Sequence, residues 1–399
     1  MTAANPYLCD LAQQVAEMSA SAEHERRRAL WAASLAQVTC RAPVNFYLYP
    51  SVWARELADG LLRYRDGLTA EIERQLLFQL WRARHLPDDT PAYPAVVLTP
   101  VRPPRPLPFP WGVELEVTRS EVAGGSYKPV PALQQEEDLE RVALPSYQED
   151  RAATALRLEE ARTLVDDRVE VRLHSDEVHW GPFEHAVRLR GMDQLLLDVY
   201  DRPAFVHRLM GRLSTAMVEY HLQREAAGRV WAGAGIGHVP PRRVLAPLQD
   251  RLAGSWGYLH AQSAASYSPA MYEEFVQPYN EPVAALVGHV YYHGCEDLSR
   301  KCRSIRRLPH LRLFHISPWT APEPVVQVLG DRVTYEVHAH PTTVILGDSN
   351  AQIRAEMERL HPLVRDVPHT WALADVETFA GRYERAVYWA HVARELSGT

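Results

Sequence analysis

Cysteine is scarce in this sequence and long apolar runs are missing, and both scarcities narrow what it encodes. The four cysteines among 399 residues are Cys9, Cys40, Cys295 and Cys302. They are too few and too scattered for a disulfide framework. No stretch reaches the roughly 18 uncharged apolar residues that a membrane span needs, so no membrane association is expected. The opening MTAANPYLCDLAQQVAEM has no charged region leading into an apolar one. A signal peptide is therefore not expected, and the expected compartment is the cytoplasm. An excess of positive charge is also absent. The formal net charge is -7, which argues against nucleic acid or an anionic membrane as partner. The short basic cluster Arg300, Lys301, Arg303, Arg306 and Arg307 reads as a solvated helix face. No G-x-G-x-x-G follows a strand and opens a helix, and GAGIG at 233–237 has different spacing, so a dinucleotide fold has no direct support. There is no internal repeat and no coiled coil.

What is present is ordinary globular composition, with 46% hydrophobic and 23% charged residues, in an alternating pattern. Residues 8–37 read as one or two helices. Short β-branched and aromatic runs follow at 44–49, 95–99, 168–174, 289–294, 311–317, 332–338 and 369–375, with helical text between them. VWAGAG (230–235) and WGYLHAQ (256–262) compete for one more strand, which makes eight. Residues 100–111, PVRPPRPLPFPW, hold six prolines and cannot continue a helix or a central strand. Residues 120–150 read as an irregular excursion with one short acidic helix, and 298–308 as a helix. Strands separated by helices imply parallel pairing. The expected architecture is a (β/α)8 TIM barrel over 41–399 with a proline-rich insertion, preceded by a helical extension over 1–40. An open doubly wound sheet is the alternative.

In such a barrel the chemistry sits at the C-terminal strand ends. Those ends carry Tyr47 and Tyr49; His174, Asp176, Glu177 and His179; Gln262; His293, Cys295, Glu296 and Asp297; Ser317; His338 and His340; and Asp375 and Glu377. The sharpest feature is His293-Gly294-Cys295. A histidine and a cysteine two apart at a strand end turn to the same side, and imidazole and thiolate are the ligands zinc prefers. A third ligand must come from another strand: Asp375, Glu377, His338 or His340. The structural alternative is a small buried cysteine beside a hydrogen-bonded core histidine. His338 and His340 serve equally as metal ligands, as binders of a substrate carboxylate or phosphate, or as loop histidines. Asp176 with His174, and Gln262, are candidates for orienting substrate or moving a proton. For Asp176-Glu177 and for Asp375 and Glu377, helix capping is the alternative. Cys302 is expected in the core.

The segment YYHGCEDLSRKCRSIRRLPHLRLFHISPWT resembles the uroporphyrinogen decarboxylase superfamily. WGYLHAQSAASYSPAMYEEFVQPYNEPVA, LRGMDQLLLDVYDRPAFVHRLM and the closing WALADVETF share the resemblance, which covers roughly residues 135–396. It implies a (β/α)8 barrel and two chemistries. The decarboxylases are cofactor-free and use an R-Q-A-G-R motif; here that region reads APVNFYLYPSVW, without arginine. The other branch comprises zinc-dependent methyltransferases acting between a corrinoid protein and a thiol, with zinc held by H-x-C and a distant cysteine. His293 and Cys295 match the first pair. ADVET stands where the distant cysteine would be, so Asp375 or Glu377 would substitute. No D-x-H-x-x-G corrinoid signature is present, so any corrinoid would be carried by a separate protein. Three readings follow: a zinc-dependent methyl or related group transferase for a small-molecule substrate; a cofactor-free lyase for a small carboxylated substrate; and a non-catalytic binder of a corrinoid or tetrapyrrole. A homodimer is compatible with each.

Overall fold

The computed structural model describes residues 3–38, 40–105, 107–119, 121, 127–179, 181–234 and 249–398. Ten strands are found among them: β1 Val44–Phe46, β2 Ala95–Leu98, β3 Val117–Arg119, β4 Tyr127–Pro129, β5 Glu170–Leu173, β6 Trp256–His260, β7 His289–His293, β8 Leu311–Ile316, β9 Thr334–His338 and β10 His369–Leu373. Six form one parallel sheet in the order β1-β10-β9-β8-β7-β6. β2 and β5 form a separate parallel pair, and β3 and β4 an antiparallel hairpin. Among the described residues no ladder joins β1 to β2 or β5 to β6.

Of the two competing central segments, WGYLH became strand β6. Residues 230–234 carry no strand, and 235–237, the last three residues of GAGIG, lie outside the described residues. The excursion at 120–150 contains the expected short acidic helix, a 3₁₀ turn over Glu136–Arg141, together with β4 of the unexpected hairpin. The helix expected over 298–308 shrinks to Cys302–Ile305 between turns. Its basic cluster is not wholly solvated either. Lys301 is buried, and its Nζ donates to the carbonyl of Ala264 at 2.6 Å. One positive side chain of that face thus pins the turn after β6 to the turn after β7.

Strand alternation sorts side chains to two faces. Leu259, Tyr292, Phe314, Tyr335 and Val337 face the helices in the main hydrophobic core. On the other face ring meets ring: Tyr258 lies 5.5 Å from Tyr291 and 5.3 Å from His293, centroid to centroid. Both faces are covered, as expected of parallel strands.

The starts of these strands are closed by the helix Ala22–Leu35. Its Trp31 and Leu35 form a buried cluster with Trp256 of β6, Tyr291 of β7 and Leu313 of β8. Trp31 Nε1 donates to the carbonyl of Asp89 at 2.9 Å, and Thr334, the first residue of β9, donates to the carbonyl of Ser34 at 2.6 Å. Polar side chains can then converge only nearer the strands' C-terminal ends.

A candidate metal centre at the strand ends

Register carries the site. Parallel pairing sets His260 opposite His293 and His315 opposite Glu336. The imidazoles of His293, His315 and His338 follow one another at centroid separations of 4.1 Å. All three rings are buried, as is Glu336.

One ligand atom each from His293, Cys295 and His315 lies within 4.8 Å of the others. Cys295 Sγ is 3.9 Å from Nε2 of His293 and 3.8 Å from Oδ2 of Asp375. Around a tetrahedral zinc, bond lengths of about 2.0 and 2.3 Å put nitrogen and sulfur roughly 3.5 Å apart. The observed separation is within a few tenths of that, so the donor set fits such an ion in both chemistry and spacing. Burial, and next the charge of Asp375, push the Cys295 thiol well above its ordinary value. Both favour the thiol; a cation bound beside it would favour the thiolate.

Asp375 reaches the thiol through a local device. Just after β10 its backbone turns left-handed, with φ 58°, a conformation a short aspartate tolerates. Its Oδ1 accepts from Tyr49 at 3.0 Å, and the Tyr49 ring packs edge-on against Tyr47 at 5.2 Å. Residues after β1, β7 and β10 thereby meet at one point. A second group of donor atoms, from His315, Glu336 and His338, lies beside the first and shares His315 with it.

Of the other candidates, all but His338 sit away from this point. Glu377 is exposed, and its carbonyl, not its carboxylate, is held, by Arg55. His340 precedes the helix Pro341–Leu346; its backbone N–H donates to Glu356 and its ring lies 5.5 Å from Trp319. His338 turns inward instead, its Nε2 2.8 Å from Glu336. Gln262 lies exposed in the turn after β6. His174 and Asp176 belong to a cluster at the end of β5. His174 Nδ1 accepts from the Trp231 backbone at 3.3 Å, and Asp176 pairs with Arg224 at 3.2 Å. Burial lowers His174 to about 4; burial opposes ionisation of Asp176, but Arg224 holds it down to about 2. Glu177 is engaged by Arg102 at 3.2 Å and by Tyr220 at 2.5 Å. Glu296 is buried behind Gly294, and burial pushes it up to about 7. Cys302 is in the core, donating to the Ser299 carbonyl.

His315 and Glu336 are the two residues that the strand-end reading passed over. Each stands inside a strand rather than at its end. The available signal was a polar residue within an otherwise apolar run, since buried polar groups occur where a partner or a function holds them.

No family model and no curated protein sequence matches this chain. Its structure is similar to that of a methyltransferase from Methanosarcina mazei, with a TM-score of 0.55 and 14% identity, covering 93% of this chain and 98% of that one. At that identity the likeness is one of fold.

Proposed function

We propose that the chain is a (β/α)8-barrel group transferase whose centre is a zinc ion held by His293, Cys295 and His315, with methyl transfer as its reaction class. The observation that carries the reading is the convergence of those three donors on one point at the strand ends. The barrel is supported by strand order: the sheet runs through β6 to β10 in sequence, and the last, β10, pairs with the first, β1. Methyl transfer is supported by the fold shared with a methyltransferase.

A zinc ion bound there supplies a Lewis acid that makes a bound thiol or water nucleophilic at neutral pH. The protein's own residues do the rest. His293 and His315 present imidazoles from adjacent strands, fixed by register. Cys295 gives a sulfur that cannot ionise unaided. Asp375 stands beside the sulfur as a fourth donor or as acceptor from an incoming thiol. Tyr49 fixes that carboxylate by hydrogen bonding. A small thiol or similar nucleophile is the proposed acceptor, and a corrinoid on a separate protein the proposed methyl donor.

Elemental analysis of protein purified without chelators tests the centre, on wild type and on Cys295→Ala and His293→Ala. Stoichiometric zinc in the wild type that is lost from both variants is the expected result. Zinc-free wild type, or metal retained in both variants, overturns the reading and leaves the His174–Asp176 cluster as the place to seek cofactor-free chemistry.

A further inference from the structure

Glu336 has an environment that its neighbours in the strand do not explain. It is the middle residue of β9 and about 1% exposed. A carboxylate so buried costs several kcal/mol unless it is hydrogen-bonded. The structure brings polar atoms of three residues, from three adjacent strands, to one of its oxygens. Oε2 accepts from the Tyr291 hydroxyl of β7, lies 3.2 Å from Nδ1 of His315 in β8, and 2.8 Å from Nε2 of His338 in β9. Register sets the residues side by side, because His315 pairs with Glu336 directly and His338 lies on the same face two residues on.

The arrangement decides where the proton of His315 sits. Nδ1 faces the carboxylate and, at 3.2 Å, the oxygen of Tyr291, whose own O–H is directed to Glu336. Facing acceptors, Nδ1 carries the hydrogen, and a neutral imidazole then keeps its lone pair on Nε2. A histidine that ligates a metal commonly donates its other ring N–H to a carboxylate, which fixes tautomer and ring orientation together.

We propose that Glu336 is the positioning residue of the centre: by holding the Nδ1 proton of His315, it presents Nε2 of that ring as the metal ligand. The inference rests on the metal reading above. It assigns Glu336 a role without placing it in contact with the metal. It also accounts for Tyr291, whose ring packs on the Trp31 plug while its hydroxyl reaches the carboxylate, so the floor under the centre and the acceptor that orients it are joined through one side chain.

Two measurements test it, and they fail separately. In the first, wild type and Glu336→Gln are loaded with cobalt(II) in place of zinc, and affinity is read by competition with a chelator. Glutamine keeps the shape but replaces an anionic acceptor with an amide that also donates. The expected result is a roughly 10- to 100-fold weaker affinity and a shifted cobalt–thiolate absorption, with the far-ultraviolet circular dichroism unchanged; Tyr291→Phe, which spares the carboxylate, loses less. Unaltered affinity and spectrum in Glu336→Gln overturn the proposal. So does a wild type that binds two equivalents of cobalt and a variant that binds one, which would make Glu336 a ligand. In the second, nitrogen NMR of metal-free wild type labelled at histidine reads the tautomer of His315 directly. A proton on Nδ1 is expected; a proton on Nε2 overturns the proposal even if Glu336→Gln fails to fold. A wild type that binds no metal but shows the Nδ1 tautomer overturns the metal reading, and with it the role, while leaving the hydrogen bond in place.

Discussion

Several causes keep the proton on Cys295, and the two largest can be separated. Burial is the larger and the charge of Asp375 the next. Asp375→Asn keeps the size of the side chain and its tolerance of a left-handed backbone, but removes the charge. In metal-free protein the thiolate is what alkylates. The pH midpoint of Cys295 alkylation by iodoacetamide is therefore expected to fall in Asp375→Asn, while staying above that of an exposed cysteine because burial persists. An unchanged or higher midpoint would show that Asp375 does not act on the sulfur. At this scale the sequence was legible where chemistry and position coincide. His293-Gly294-Cys295 closes an apolar run, so both its residue types and its place in the chain mark it. His315 was not legible: it stands one residue before the end of β8, and only the offset of β8 against β7 brings it level with His293. Such an offset is set by packing between strands, which one strand's sequence does not contain. Glu336 was hidden in the same way, inside β9.

Among elements, the helix Ala22–Leu35 does more than extend the chain. Trp31 is about 1% exposed and closes the starts of β6, β7 and β8 from below. Its indole also holds the Asp89 carbonyl in the approach to β2. Trp31→Ala would leave a cavity under Tyr291 and an unmet carbonyl. The expected cost is about 3–5 kcal/mol, read as a lower urea midpoint with an unchanged slope. The exposed Arg26 of the same helix, changed to alanine, should stay within roughly 0.5 kcal/mol. A Trp31→Ala midpoint close to wild type would mean the helix is an appendage rather than a floor. The helix itself was readable from composition. Its docking was not, because the strand residues that cluster with the tryptophan, Trp256, Tyr291 and Leu313, lie more than two hundred residues further along the chain. The strands flanked by helices were legible from their β-branched and aromatic runs. The hairpin β3–β4 was not, since Val117–Arg119 is exposed throughout and carries no apolar alternation to read.

Over the whole molecule, buried histidines set the response to acid. Burial lowers His24, His174, His221 and His369 to about 4, and His185 and His260 to about 3. For some the cause is visible atom by atom. The ring nitrogen a proton would need already accepts a hydrogen bond: His24 Nδ1 from the Ala92 backbone at 2.9 Å, His185 Nδ1 from the Trp111 indole at 3.2 Å, and His174 Nδ1 from Trp231. The unfolded chain takes up these protons near pH 6.5 and the folded chain does not. Between about 6.5 and 4 the unfolded state therefore binds more protons, so stability falls as pH falls through that window. Each such group contributes on the order of 1.4 kcal/mol per pH unit at most, and several together rival the net stability of a domain. Glu296, pushed up to about 7, works the other way, since its folded form holds a proton the unfolded form has lost. Glu184 and Glu356, which burial also raises, act in the same direction, so three such carboxylates oppose the six histidines. In Glu149 and Asp198 burial opposes ionisation, but hydrogen bonds and charge from Arg229 and Arg190 outweigh it and hold them low, so they weaken the fold only at more acidic pH, below their ordinary range. A melting temperature that drops steeply from pH 7 to pH 5 therefore reports the histidines. His185→Gln, whose amide can keep the bond to Trp111 without titrating, should flatten that slope. A melting temperature that is level from pH 7 to pH 5 would show that these rings gain protons in place, and that their hydrogen bonds yield more readily than their burial implies.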